Sequence, residues 1–84
     1  MRTIMKYRIL LVDDDIDILD MIEILLDNEG YEITRSENGG EALMKFDDTF
    51  DLVILDVMMP GESGYKVCRE IRKKSSVPIL FLTA

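Results

Sequence analysis

Histidine and tryptophan are absent from this 84-residue sequence, and Cys68 is its one cysteine. The absence of histidine removes the commonest general base and a frequent ligand of transition metals. A single cysteine cannot form an internal disulfide or a cysteine zinc cluster. Metal binding or catalysis by this chain would therefore depend on oxygen ligands. The length supports one domain over residues 1–84 and excludes a multidomain enzyme.

Basic residues and long apolar runs are also scarce. The chain has 10 Lys and Arg against 17 Asp and Glu, which gives a net charge of −7. A field of this sign repels phosphate backbones, so direct nucleic-acid binding is not expected. Charges at Arg2 and Lys6 interrupt any signal-peptide core, and no apolar run approaches the ~18 residues of a membrane span. We expect a soluble, cytoplasmic protein without membrane contact.

The apolar segments that are present alternate with segments of helical periodicity. Continuous runs rich in branched residues predict buried strands at 9–12, 50–56 and 77–82, and an alternating run predicts a more exposed strand at 31–35. Helical spacing follows each of the first three strands. The first helix is expected from Ile16 to a stop at Gly30. The second is expected around Ala42, Leu43 and Phe46. The third is expected to start at a cap, Ser63, and to run through Tyr65, Val67, Cys68 and Ile71 to the basic residues Arg72, Lys73 and Lys74. The order predicts an α/β fold with a parallel sheet.

Carboxylates stand directly after two of the predicted strands. Asp13 and Asp14 follow the first, and Asp56 ends the third. If these strands are neighbours about 4.8 Å apart, the carboxylates converge at the edge where open α/β sheets bind ligands. Converging anions need a cation, and Mg²⁺ suits such oxygen ligands. The backbone carbonyl of Met58 could add a further ligand.

Asp56 also precedes a Pro-Gly loop that is expected to stay open above the sheet. A carboxylate there can attack a phosphoryl group, while Mg²⁺ neutralises charge on the transferring oxygens. Thr83, at the corresponding end of the last strand, has a hydroxyl that could bind a phosphoryl oxygen. Phosphoryl chemistry on Asp56 is therefore the leading functional hypothesis.

Three segments carry a family resemblance: 9–15 (ILLVDDD), 51–61 (DLVILDVMMPG) with Gly64, and 78–84 (PILFLTA). Together they resemble the receiver domain of two-component response regulators, over essentially the whole chain. The resemblance implies a flavodoxin-like three-layer fold with sheet order 2-1-3-4. It implies a sensor histidine kinase as phosphoryl donor, a place in transcription regulation through a DNA-binding output domain, and a phosphoacceptor rather than a turnover enzyme. The implied residues are Asp56 as acceptor, Asp13, Asp14, Asp56 and the Met58 carbonyl around Mg²⁺, and Thr83 as the switch hydroxyl.

The chain departs from that family after its fourth strand. The family's fifth strand, with a lysine that contacts the phosphoryl group, and its last two helices are not in this sequence. Lys73 and Lys74 lie at the end of the third helix and cannot take that lysine's role. We therefore expect a homo-oligomer or swapped dimer through an exposed fourth strand. We also expect exposed sheet faces, formed by Ile9, Leu11, Val53, Leu55, Ile79 and Phe81.

Two other functions remain open at this point. The chain could be a shortened receiver that acts as a non-catalytic interaction or oligomerisation module. Asp13 and Asp15 also fit the start of an aspartate-nucleophile phosphohydrolase, although Asp17 departs from that motif. An EF-hand is excluded, because Ile18 and Ile24 occupy the positions that require Gly and Glu. We interpret Asp15 as the residue that starts the first helix.

Overall fold

The computed structural model describes residues 6–61 and 63–82. In this part of the chain, strands and helices alternate strictly, as the periodicities predict. The strands are β1 (Arg8–Val12), β2 (Glu32–Ser36), β3 (Leu52–Asp56) and β4 (Ile79–Leu82), and the helices are α1 (Ile16–Asn28), α2 (Gly39–Lys45) and α3 (Gly64–Arg72).

The four strands form one parallel sheet in the order β2-β1-β3-β4, which confirms the predicted topology. The register places Val12 opposite Leu55, and Asp56 opposite Leu82. At the carboxyl end of the sheet the Asp13 N–H donates to the carbonyl of Ser36 at 3.1 Å, and so prolongs the ladder by one residue. The ends of β1, β3 and β4 therefore lie level with one another, at the edge where the acidic residues leave the strands.

Two apolar cores cover the two faces of this sheet. On one face, Ile9, Leu11 and Ile54 pack against Leu19 of α1. On the other face, α2 and α3 cover alternate residues of β1 and β3. The members of this second core include Leu10, Val12, Val53, Leu55, Ala42, Phe46, Val67 and Ile71, with Cys68, Ile79 and Phe81 packed against it. One helix thus covers the first face and two cover the second.

Six residues are expected on exposed sheet faces, and this expectation is wrong for four of them. Ile9 is 3% exposed, and Leu11, Val53 and Leu55 are fully buried. They are covered because β1 and β3 are the central strands, which the helices cross, whereas the uncovered area lies beside the edge strand β4. The exposed apolar side chain of that strand is Leu80, which is 54% exposed.

Polar side chains cap the amino end of each helix, as expected for Asp15 and Ser63. Asp15 accepts the N–H of Asp17 at 2.9 Å, and Ser63 accepts the N–H of Lys66 at 3.3 Å. Asn38 caps α2 by accepting the N–H of Glu41 at 2.8 Å. These bonds satisfy donors that a helix start otherwise leaves unpaired, so they fix where each helix leaves the sheet edge.

Most element boundaries differ from the expected ones by one or two residues, and two of the differences have a clear physical reason. β4 begins at Ile79 rather than at 77, because Pro78 has no N–H to donate to a ladder. Phe46 lies just past α2 as its extended C-cap, and its ring stacks on Phe50 at 6.1 Å between centroids. Among the described residues, none of the helices combines the length and the apolar character that crossing a membrane requires.

Candidate functional site

Three carboxylates meet at the carboxyl end of the sheet. Asp13 and Asp14 follow β1, and Asp56 is the last residue of the neighbouring β3. One oxygen from each of the three lies within 4.8 Å of the others. The parallel pairing of β1 with β3 produces this convergence, because the two strands end at the same level. The structure thus brings together the three acidic residues that the sequence pattern selects.

Asp13 is the buried member of this cluster, with 3% of its surface exposed. One of its oxygens accepts the N–H of Asp15 at 2.9 Å, and this bond fixes the carboxylate against the start of α1. Burial raises the pKa of Asp13 above its ordinary value of 3.8, and the charges of Asp56 and Asp14 raise it further. The bond from Asp15 acts in the opposite direction, and the net direction is upward.

Asp56 is the half-buried member of the cluster, and a backbone N–H of the following loop holds its side chain. Its Oδ1 accepts the N–H of Met58 at 3.1 Å. This bond fixes one oxygen of the carboxylate, and Asp56 lines the open cleft beside Asp13 and Asp14. A carboxylate that is held in place beside an open cleft has the arrangement that a nucleophile needs.

Gly64, the first residue of α3, allows the helix to pack directly on the end of β3. A Cβ built at this position would lie 2.2 Å from the backbone oxygen of Asp56 and 2.9 Å from the Cα of Val57. The Gly64 N–H donates to the carbonyl of Val57 at 3.1 Å, which holds the two segments together. Gly64 therefore positions Asp56 through the backbone, a role that the sequence alone does not reveal because it depends on tertiary contact.

An apolar wall flanks the carboxylates, and sequence reasoning missed it. The cleft has a volume of about 330 Å³ and runs from the acidic cluster along the first turns of α1. Its apolar lining consists of Ile18, Met21, Ile22, Met58 and Leu82. The helical spacing of Ile18, Met21 and Ile22 is the available signal, but it does not distinguish a cleft wall from ordinary core.

The donor set fits a hard divalent cation. Oxygen ligands at about 2.1 Å from Mg²⁺ are separated by at most about 4.2 Å. The observed limit of 4.8 Å therefore needs only a small closure of the three side chains. The exposed Asp14 and the half-buried Asp56 leave room for the waters that Mg²⁺ retains. The residues that could hold the ion are Asp13, Asp14 and Asp56. Met58 lines the same cleft, and its carbonyl stays a predicted ligand.

Other candidate residues are separated from this cluster. The Asp15 carboxylate caps α1 by accepting backbone N–H groups. This use of the carboxylate does not match the role that a phosphohydrolase motif would give it. Lys73 pairs with Glu70 at 2.9 Å at the far end of α3, and Lys74 lies over the ring of Phe46. Thr83 lies outside the described residues, one position after Leu82, which is opposite Asp56.

Comparison with known proteins gives a consistent family match. The family model described as the response regulator receiver domain matches residues 9–84. An uncharacterized transcriptional regulatory protein of Bacillus subtilis (strain 168), YrkP, is 58% identical over 80 residues, which are 95% of this chain and 35% of that protein. A CpxR homolog of Haemophilus influenzae is 47% identical over 77 residues, or 92% and 34% of the two chains. The chain thus spans about a third of the length of these relatives.

Solved structures match over nearly the whole chain. The response regulator TrrA from Thermotoga maritima, in complex with Mg²⁺ and BeF, is 54% identical with a TM-score of 0.86, covering 95% of this chain and 70% of that one. TrrA in complex with the histidine kinase ThkA matches with a TM-score of 0.85 over the same shares. The non-phosphorylated HemR receiver domain from Leptospira biflexa matches with a TM-score of 0.90 at 36% identity, covering 94% and 65%.

Proposed function

The chain belongs to the response regulator receiver domain family, and from this premise we propose that it accepts a phosphoryl group on Asp56 from a sensor histidine kinase. The observation that carries the proposal is the cluster of three carboxylates at the ends of β1 and β3. The solved complex of the relative TrrA with the histidine kinase ThkA supports the class of donor. The cytoplasm is the expected compartment, in keeping with one cysteine and no disulfide.

Exposure and hydrogen bonding favour Asp56 over its two neighbours as the acceptor. Asp13 is buried, and its carboxylate is held by the Asp15 N–H. Asp14 is exposed and lies on the loop after β1, whereas Asp56 lies at the strand end, where Gly64 and Met58 fix its backbone and one oxygen. A fixed nucleophile reduces the entropy lost in reaching the transition state.

In the proposed reaction, a carboxylate oxygen of Asp56 attacks the phosphorus of a phosphohistidine. The new O–P bond forms as the P–N bond breaks, so that the histidine leaves with the electron pair and Asp56 becomes an acyl phosphate. Mg²⁺ bound by Asp13, Asp14, Asp56 and the Met58 carbonyl would neutralise charge on the transferring oxygens. Each chain accepts one group, so no turnover is expected.

The wider role follows from the relatives and is part of the same proposal. YrkP and the CpxR homolog are named as transcriptional regulatory proteins, of which this chain matches about a third. We infer that a module of this kind supplies the phosphorylation input to such a regulator. Thr83 is proposed as the hydroxyl that contacts the phosphoryl group, since in the sequence it directly follows Leu82, the last residue of β4, which is opposite Asp56.

A small phosphoryl donor, acetyl phosphate, tests the proposal without a cognate kinase. Incubation with Mg²⁺ should add one phosphoryl group per chain by intact mass, and peptide mapping should place it on Asp56. Asp56→Asn should abolish the addition, while Asp48→Asn, at an exposed loop position, should leave it intact. Label on Asp13 or Asp51, or equal labelling of both variants, would refute the assignment to Asp56, and the absence of any labelling would favour a non-catalytic interaction module.

A further inference from the structure

Met58 is the most exposed apolar residue of the cleft that holds the three carboxylates. It is 76% exposed, whereas Met59, the next residue, is 8% exposed and belongs to the core that α2 and α3 cover. Met58 lines the cleft together with Asp56, and it also lines a second groove with Asp14 and Pro60. The residues of this second groove lie on the loops after β1 and β3. Two adjacent methionines thus have opposite environments, one at the entrance of the site and one in the core.

The proposed phosphorylation requires small molecules to reach Met58. A phosphohistidine has to bring its phosphorus to Asp56, and Mg²⁺ has to reach the carboxylates with its waters. Met58 lies at this entrance, because its N–H donates to Oδ1 of Asp56 at 3.1 Å and its side chain lines the cleft. An entrance that admits a histidine side chain also admits hydrogen peroxide. Access of a peroxide to Met58 therefore follows from the proposed function itself.

The thioether of an accessible methionine reacts with peroxides. A lone pair of the sulfur attacks one peroxide oxygen as the O–O bond breaks, so the sulfoxide forms and water leaves. The sulfur loses two electrons, and the peroxide is reduced to water. The reaction converts a flexible apolar side chain into a polar one. At Met58 it would place a polar S=O group in the apolar wall beside Asp56.

We propose that Met58 is a site of modification by peroxides, and that its sulfoxide shortens the lifetime of the phosphoryl group on Asp56. The effect on lifetime rests on the proposed phosphorylation. Hydrolysis of the acyl phosphate requires a water oxygen to attack phosphorus as the bond to the Asp56 oxygen breaks, which releases inorganic phosphate and restores the carboxylate. The apolar thioether of Met58 keeps water away from this position, whereas a sulfoxide holds water there by hydrogen bonds.

Two other exposed methionines provide controls for the position of Met58. Met44 is exposed in the last turn of α2, which begins at the carboxyl end of the sheet and runs away from the carboxylates. Met21 is exposed on α1 and lines the same cleft as Met58. Peroxide should oxidise both side chains. Met44 tests whether oxidation anywhere on the surface has an effect, and Met21 tests whether oxidation elsewhere in the cleft is sufficient.

Peptide mapping after treatment of the chain with hydrogen peroxide tests the modification site. Met58 should gain one oxygen at a rate similar to that of Met44 and at least about tenfold faster than Met59, because susceptibility follows exposure. In urea, where the chain is unfolded, Met58 and Met59 should react at equal rates. Equal rates in the folded chain would overturn the assignment of Met58 as a modification site.

The lifetime of the phosphoryl group tests the consequence. The experiment uses a Cys68→Ala background, because the thiol of Cys68 also reacts with peroxide. The chain is oxidised, phosphorylated with acetyl phosphate and Mg²⁺, and desalted, and the loss of the phosphoryl group is followed by intact mass. The oxidised chain should lose the group at least about threefold faster than the untreated chain, because water is held closer to phosphorus. Treatment with methionine sulfoxide reductases should restore the original rate.

Three leucine variants assign the effect to one side chain. Met58→Leu should make the lifetime insensitive to peroxide, whereas Met21→Leu and Met44→Leu should retain the sensitivity. Each treated sample is compared with the untreated sample of the same variant, and circular dichroism verifies folding. Sensitivity that persists in Met58→Leu, or equal lifetimes with and without peroxide, would overturn the consequence. An untreated chain that accepts no phosphoryl group would refute the proposed function together with the effect on lifetime, while the oxidation rates would still decide the modification site.

Discussion

The buried carboxylate of Asp13 places a charge where the fold would be more stable without one. Its surface is 3% exposed, and burial together with Asp56 and Asp14 raises its pKa above 3.8. The folded chain therefore binds the proton more tightly than the unfolded chain does. Ionised Asp13 destabilises the fold at neutral pH, and this destabilisation disappears as the pH falls through the raised pKa. The same charge makes Asp13 a candidate ligand for a cation.

Asp13→Asn should stabilise the chain at pH 7 in metal-free buffer by about 1 kcal/mol. The variant removes the charge, while its amide oxygen can still accept the Asp15 N–H. In acid, where Asp13 is protonated, the gain should vanish. Urea denaturation at the two pH values measures both effects, with the exposed Asp48→Asn as control. A gain of the same size in acid would show that the effect is not electrostatic.

Gly64 is the second residue on which the site depends, and its role is steric. Gly64→Ala would place a Cβ 2.2 Å from the backbone oxygen of Asp56, so α3 and the end of β3 must separate. We expect a loss of about 1 to 3 kcal/mol in unfolding free energy, together with slower phosphorylation of Asp56.

Gly40→Ala provides the matched comparison for Gly64→Ala. A Cβ at Gly40 would meet only the side chain of Asn38, at 3.5 Å, and Gly40 lies inside α2. Alanine is a better helix former than glycine by about 1 kcal/mol, so this variant should be neutral or stabilising. Thermal unfolding of both variants under one condition makes the comparison. Equal destabilisation would contradict the close-packing argument.

At the scale of elements, the sequence predicts what depends on local pattern. Apolar runs and helical periodicity place all seven elements, and the position of Asp13, Asp14 and Asp56 after strands predicts their convergence. What it does not predict depends on packing between elements. The contact of Gly64 with β3, the apolar wall beside the carboxylates and the burial of Ile9 and Leu11 all follow from which helix crosses which strand. The role of Thr83 stays a prediction.

The shortest helix, α2, tests how much an N-terminal cap contributes to the stability of a helix. α2 has seven residues, too few to be stable alone, and Asn38 accepts the N–H of Glu41 at its start. Asn38→Ala should cost about 1 kcal/mol, and Asn38→Asp should restore most of it, because aspartate is an equally good cap. Asn28→Ala, at the exposed end of α1, is the control for the same change of side chain. Denaturant midpoints measure all three, and equal losses at 28 and 38 would exclude a capping role.

At the scale of the whole molecule, the net charge of −7 is distributed very unevenly. Five of the 10 basic residues lie in 64–74, while α1 contains four acidic residues and no basic one. Arg35 of β2 neutralises part of the negative charge of α1, since it pairs with Asp20 at 2.7 Å and Glu23 at 3.0 Å. The three carboxylates at the strand ends have no cationic side chain paired with them among the described ion pairs. The proposed Mg²⁺ would supply the positive charge that neutralises them.

Mg²⁺ should consequently stabilise the chain more than the same ionic strength of NaCl does. NaCl only screens the general repulsion, whereas a bound ion stabilises the folded state by mass action, by about 1.4 kcal/mol at tenfold its dissociation constant. For a domain of this size that corresponds to a rise of roughly 6 to 11 °C in the unfolding midpoint.

Asp14→Asn should remove the difference between the two salts, because it deletes an exposed ligand of the cluster. Asp27→Asn, at an exposed position of α1, should preserve it. Scanning calorimetry in matched ionic strengths decides: if Asp14→Asn retained the full Mg²⁺ effect, the ion would be acting through general screening and not through the carboxylates of β1 and β3.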